Sequence, residues 1–116
     1  MVHLTPFNFE EEILEATRFC VVKFSNDGCY LCRGLEGIYE DLSNRYSSKI
    51  KFATVDIEMN PDLGKIFEIE GVPTIYFFIK GDAEEIPYPE DPSIISGYGE
   101  EYLIDFIDSR LNQEER

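Results

Sequence analysis

Apolar and polar positions fall into blocks whose period changes along the chain. Over residues 7–16, Phe9, Ile13 and Leu14 recur at helical spacing behind Asn8, which suits the cap of an acid-rich first turn. A short first helix is predicted there. Residues 19–25, Phe-Cys-Val-Val-Lys-Phe-Ser, form a bounded run of branched and aromatic side chains that suits a buried strand. Asn26-Asp27-Gly28 ends that run with turn chemistry. From Cys29 to about Tyr46, the residues Leu35, Ile38, Tyr39, Leu42 and Tyr46 step by three and four, the stripe of one long helix. Residues 50–57 alternate as a second strand. Strand, helix and strand over residues 19–57 therefore read as a right-handed crossover between parallel strands.

In the second half, Asn60-Pro61 opens a third helix through about Phe67, with Leu63, Ile66 and Phe67 on one side. Gly71-Val72-Pro73 closes that connection, residues 74–80 make the most apolar strand, and Gly81-Asp82 follow as a turn. Pro87, Pro89 and Pro92 each lack an amide donor, so residues 83–92 are expected to form an irregular loop. Residues 93–98 are expected as a short edge strand. A last helix after Gly99 turns Tyr102, Leu103, Phe106, Ile107 and Leu111 inward, and residues 112–116 are expected to fray.

The length, 116 residues, supports one hydrophobic core and not two, so a single domain over residues 1–116 is expected. A chain that is 43% hydrophobic and 14% aromatic lies far from the composition of disordered segments. The formal net charge of -14 would repel a phosphate backbone, which argues against nucleic acid as a partner. No apolar stretch approaches membrane-spanning length, so no membrane association is expected. The first residues carry no basic segment followed by an apolar run, and a cytoplasmic monomer is the expectation.

Three cysteines cannot pair completely, which argues against an extracellular disulfide scaffold. Two of them, Cys29 and Cys32, stand at the junction of a predicted strand and helix. A helix start presents unpaired amides and a positive dipole end, and both stabilise a thiolate. Cys29 would then be the exposed attacking sulfur, and Cys32, one turn inward, the sulfur that resolves the mixed disulfide. Two other readings stand beside this one. The pair could be packed core thiols, which the preceding Asp27-Gly28 turn disfavours. It could hold zinc, but only Cys20 and His3 remain as further ligands of the usual kinds and Cys20 lies mid-strand, so no metal site is expected.

Taken together, these segments resemble the thioredoxin family over nearly the whole chain. Residues 8–14 look like its first helix, 21–24 its central strand, Cys29-Tyr30-Leu31-Cys32 its redox motif, and Val55-Asp56-Ile57 with Asn60-Pro61 its next strand and helix start. Gly71-Val72-Pro73-Thr74 matches the loop in which the family has a cis proline. The resemblance implies an α/β thioredoxin fold: a central mixed sheet of four to five strands flanked by four helices. It also implies a protein-disulfide oxidoreductase that uses Cys29 and Cys32 and no cofactor, with disulfide-containing proteins as substrates and a reductase of unknown type as recycling partner. Substrate contact is carried over to the Val72 backbone and Pro73, and to Gly28 and Tyr30 beside the first cysteine.

The departures are equally specific. Gly28 stands where the family usually has Trp, and the chain has no Trp. Tyr30-Leu31 matches none of the familiar dipeptides between the cysteines, so the redox potential is not assigned. Gly37 replaces a helix-kinking proline. Lys23 occupies the place of a buried acid that is thought to relay the proton of the resolving cysteine; it would either favour a Cys32 thiolate electrostatically or send its ammonium out to water. Three functional readings follow: a reductase of protein disulfides, an oxidase or isomerase of exported proteins, and a redox-inert binding module on the same fold.

Overall fold

The computed structural model describes residues 1–89 and 97–114. Five strands form one sheet in the order β1-β3-β2-β4-β5, where β1 is Val2–His3, β2 Phe19–Ser25, β3 Ile50–Asp56, β4 Thr74–Ile79 and β5 Asp82–Ile86. Strands β2 and β3 run parallel in the register Phe19↔Ile50 to Ser25↔Asp56. Between them lies helix α1, Tyr30–Arg45, as the period of the chain predicts. Strand β4 is antiparallel to β2, and β5 is antiparallel to β4. Helix α2 spans Pro61–Ile66 with its proline in the first turn, where a missing amide costs nothing, and α3 spans Glu100–Glu114.

Period-two alternation gives the sheet two apolar faces. Val21, Phe52, Ile75 and Phe77 meet Leu35, Tyr39 and Leu42 of α1 and Leu103, Ile107 and Leu111 of α3. Cys20, Val22, Phe24, Ala53, Val55 and Phe78 face the other way, onto Phe9, Ile13 and Leu63. Cys20 is thus a core packing residue on the face opposite α1, as the sequence suggests. Lys23 has the parity of Val21 and falls on the α1 face.

Several expectations are corrected. Residues 83–86 are not loop but part of β5. Lys80 and Gly81, at φ 50° and 87°, form the two central positions of a tight hairpin turn, so the turn lies one residue earlier than Gly81-Asp82. An edge strand needs partners on one side only, which lets Asp82, Glu84 and Glu85 face water while Ile86 is buried. The prolines begin only after that strand ends. The first helix is a five-residue π-helical turn, Glu10–Leu14, with Leu14 exposed. Asn8 does not cap it: its side chain accepts from the Thr5 amide at 2.7 Å and donates to the His3 carbonyl at 3.1 Å, tying the turn back to β1. Ile66 is exposed and does not join Leu63 in the core. Helix α3 continues through Glu114. Of the expected edge strand at 93–98, residues 93–96 lie outside the described residues, and Gly97 and Tyr98 form a bend.

Candidate functional site

Strand β2 ends at Ser25, and the chain turns through Asn26 to Gly28 before α1 begins. The turn closes with the Cys29 amide donating to the Asn26 carbonyl at 3.2 Å. Cys29 is the N-cap of α1, extended at φ -88° and ψ 118°, and its Sγ accepts the backbone N–H of Cys32 at 3.2 Å. A sulfur thus takes the position that a serine or aspartate oxygen usually holds at a helix start. An amide aimed at sulfur from a helix N-terminus is the kind of donor that supports negative charge there. Arg33 braces the same turn, its Nε donating to the Asp27 carbonyl at 3.1 Å.

The two sulfurs differ in environment. Cys29 is half-buried, whereas Cys32 is buried on the inner side of α1. Both are free thiols. Burial, reinforced by the hydrogen bond with Cys29, pushes the Cys32 thiol up to about 11, against smaller opposing effects from the Asn26 backbone and the charge of Lys23. Cys32 therefore keeps its proton at neutral pH.

From the far end of the crossover, the 71–74 loop arrives against Cys29. The Cys29 thiol donates to the Val72 carbonyl at 3.6 Å, the Val72–Pro73 peptide bond is cis, and Thr74 closes the loop with Oγ1 donating to the Gly71 carbonyl at 2.6 Å. Pro73 is buried and Gly28 exposed. These residues, separated by more than forty positions, converge because β4 lies beside β2 in the sheet.

A groove of about 530 Å³ runs from this loop along α1. Tyr30, Leu31, Leu35 and Ile38 line it on one side, with Pro73, Tyr88 and Tyr98 on the other. Tyr30 is 86% exposed at its mouth. Where a tryptophan before the first cysteine is absent, tyrosines supply the aromatic surface. Tyr98 is fixed by its hydroxyl, which donates to the Ile86 carbonyl at 2.7 Å. Gly97, at φ 63°, leaves room for Tyr88, whose ring packs on Tyr98 with centroids 5.1 Å apart. Sequence periodicity pointed to neither Tyr88 nor Tyr98 as site residues, because both border a proline-rich stretch and reach the groove only through the fold.

A family model described as Thioredoxin matches residues 1–107. This chain belongs to the thioredoxin family. It is 37% identical over 78 residues to Thioredoxin of Buchnera aphidicola subsp. Schizaphis graminum, an overlap covering 67% of this chain and 72% of that protein. It is 31% identical over 119 aligned positions to Protein disulfide-isomerase tigA of Aspergillus niger, covering all of this chain and 32% of that longer protein. Probable protein disulfide-isomerase A6 of Medicago sativa is 33% identical over 84 residues, 71% of this chain and 23% of its own length. The mixed five-stranded sheet is the thioredoxin fold, and the Cys29-to-Cys32 spacing is that of a thioredoxin-family redox motif. As a thioredoxin-family protein the chain is a thiol–disulfide oxidoreductase. No cluster of three or more metal-ligating side chains occurs among the described residues.

Proposed function

We propose that this protein reduces disulfides in protein substrates by dithiol exchange, with Cys29 as the attacking sulfur and Cys32 as the resolving sulfur. The observation that carries the assignment is the asymmetry of the pair: Cys29 is the accessible sulfur and holds the helix-start amide, while Cys32 is buried one turn behind it. Cys29 as thiolate attacks one substrate sulfur, the substrate S–S bond breaks, and the leaving thiolate takes a proton from water. Cys32 then loses its proton and attacks the Cys29 sulfur, releasing the second substrate thiol. Two electrons pass to the substrate and a Cys29–Cys32 disulfide remains, which a partner dithiol reductase must reduce.

The Val72 carbonyl suits a backbone hydrogen bond to an extended substrate segment, taking over from the Cys29 thiol that it now engages. Pro73 and Tyr30 border the groove where residues flanking the substrate cystine would lie, and the exposed Gly28 leaves the approach to Cys29 open. Three free thiols suit a reducing, cytoplasmic setting. Insulin reduction with dithiothreitol as electron source tests the reading. Catalysed precipitation that is lost in Cys29→Ser is expected; absence of turnover in the wild type would instead favour the redox-inert module.

The whole-chain match to a protein disulfide-isomerase favours one second reading, isomerisation of mispaired disulfides. Recovery of activity from scrambled ribonuclease, set beside the insulin rate, separates the two.

A further inference from the structure

Behind the cysteine pair the molecule holds a feature that the exchange scheme above does not use. Lys23 lies mid-strand in β2 and is only 7% exposed, so it does not send its ammonium out to bulk water. Its Nζ sits 4.8 Å from the centre of the Tyr39 ring on α1, a cation held against a π face. The Tyr39 hydroxyl is committed to the Val21 and Ala53 carbonyls at 3.0 and 2.6 Å, so the ring cannot swing away without losing both. Lys23 also lines a cavity of about 570 Å³ on the other side of α1 from the tyrosine groove.

The charged and titratable groups around that cavity come from every element packed there. They are the amino group of Met1, His3 from β1, Asp27 from the turn before α1, Glu36, Tyr39 and Glu40 from α1, and Asp56 from β3. Cys32, on the first turn of α1, also bears on Lys23. Glu36 follows Cys32 by four residues, one turn along the same helix, and is exposed.

We propose that Lys23 is a positioning cation for the resolving step and that Glu36 is its solvent-facing counter-charge. The inference rests on the reading of Cys32 as resolver. In that step the Cys32 S–H bond breaks, its proton passes to solvent base, and the sulfur bonds to Cys29 as the Cys29–substrate bond breaks. Negative charge gathers on a sulfur that burial isolates from solvent, and a neighbouring ammonium stabilises it. Burial alone discourages Lys23 from carrying that charge, and the Glu36 carboxylate works against this. The two effects are separable: the charges bearing on Cys32 are those of Cys29 and Lys23, whereas Glu36 acts on Lys23.

The test is stopped-flow reaction of the reduced protein with excess Ellman's reagent. The first thionitrobenzoate is released by Cys29, and the second, independent of reagent concentration, by Cys32. In Cys32→Ser the second release should vanish; if it persists, the resolver reading fails and this inference falls with it. Given that control, the rate of second release is followed from about pH 6 to about pH 9.5 in wild type, Lys23→Met and Glu36→Gln. Loss of the cation should lower the thiolate fraction by more than the accompanying rise in nucleophilicity restores, leaving Lys23→Met slower than wild type wherever Lys23 is charged. Glu36→Gln, at an exposed position that leaves folding intact, should match wild type at the acid end. It should fall below wild type at the alkaline end, where Lys23 sheds its proton earlier. A Glu36→Gln profile superimposable on wild type at every pH would overturn the proposal, as would an unchanged rate in a folded Lys23→Met.

Discussion

The Cys29 thiol donates to the carbonyl of Val72 across 3.6 Å, a contact that joins the start of α1 to a loop forty-three positions further along the chain. The sulfur proposed to attack and the backbone proposed to seat the substrate are thereby placed side by side. Replacing Cys29 with serine should reduce insulin reduction to the uncatalysed rate. Replacing Cys32 should leave the first attack intact and strand the substrate on Cys29. Mass spectrometry of Cys32→Ser after exposure to a disulfide substrate should find the mixed disulfide, and Cys29→Ser should show none.

Cys32 links this site to stability. Its folded value of about 11 lies above the ordinary 9.0, so the native state keeps a proton that the unfolded chain gives up. The stabilisation is fully present below about pH 9 and is lost as pH rises through about 11. For the reduced wild type, denaturant unfolding should show a decline between those values, on the order of 2 kcal/mol. That component should be missing in Cys32→Ser, whose hydroxyl does not titrate there. Parallel curves for the two proteins across this window would count against a protonated Cys32.

Tyr98 anchors the wall of the groove. Its hydroxyl donates to Ile86 at 2.7 Å and accepts from the Ile75 amide at 3.4 Å, joining β5 and β4 to the segment before α3. Tyr98→Phe leaves the buried Ile86 carbonyl without that partner and should cost about 1–2 kcal/mol in denaturant unfolding. No measurable change would mean that the carbonyl is satisfied elsewhere.

Gly97 supports the same wall through its backbone. At φ 63° an added side chain is strained, and the new Cβ would collide with the Tyr88 hydroxyl oxygen. The Tyr88 side chain can swing aside because it is 41% exposed, but the backbone strain stays. Gly97→Ala should therefore destabilise by about 1–2 kcal/mol and displace Tyr88 from the groove. Tyrosine fluorescence and calorimetry check the two effects separately.

Most of the fold was legible in the chain because its core strands and long helices bury whole faces. The bounded apolar run at residues 19–25, the alternation across 50–57 and the stripe from Leu35 to Leu42 follow from burial, and burial leaves a pattern in the sequence. Strand β5 left none. An edge strand with one covered face and charged residues outward looks like a loop until β4 offers it a partner. Strand β1 is two residues long and exists only as a pairing with β3, too short to show any period. The first helix is a π-helical turn, and Asn8, expected as its cap, engages Thr5 and His3 instead.

The sequence by itself determined the fold class, the strand-to-helix position of Cys29 and Cys32, and the oddity of Lys23, since each is written in local spacing, turn chemistry or residue type. Only the tertiary structure decided what stands around them. The Val72 carbonyl against the sulfur, Tyr88 and Tyr98 in the groove wall, and Glu36 on the rim of the Lys23 cavity are set by the order of strands in the sheet and the turn of a helix. Such neighbours are far apart in the chain or belong to no apolar stripe. No local period records them; they meet because closing the core fixes where each element lies.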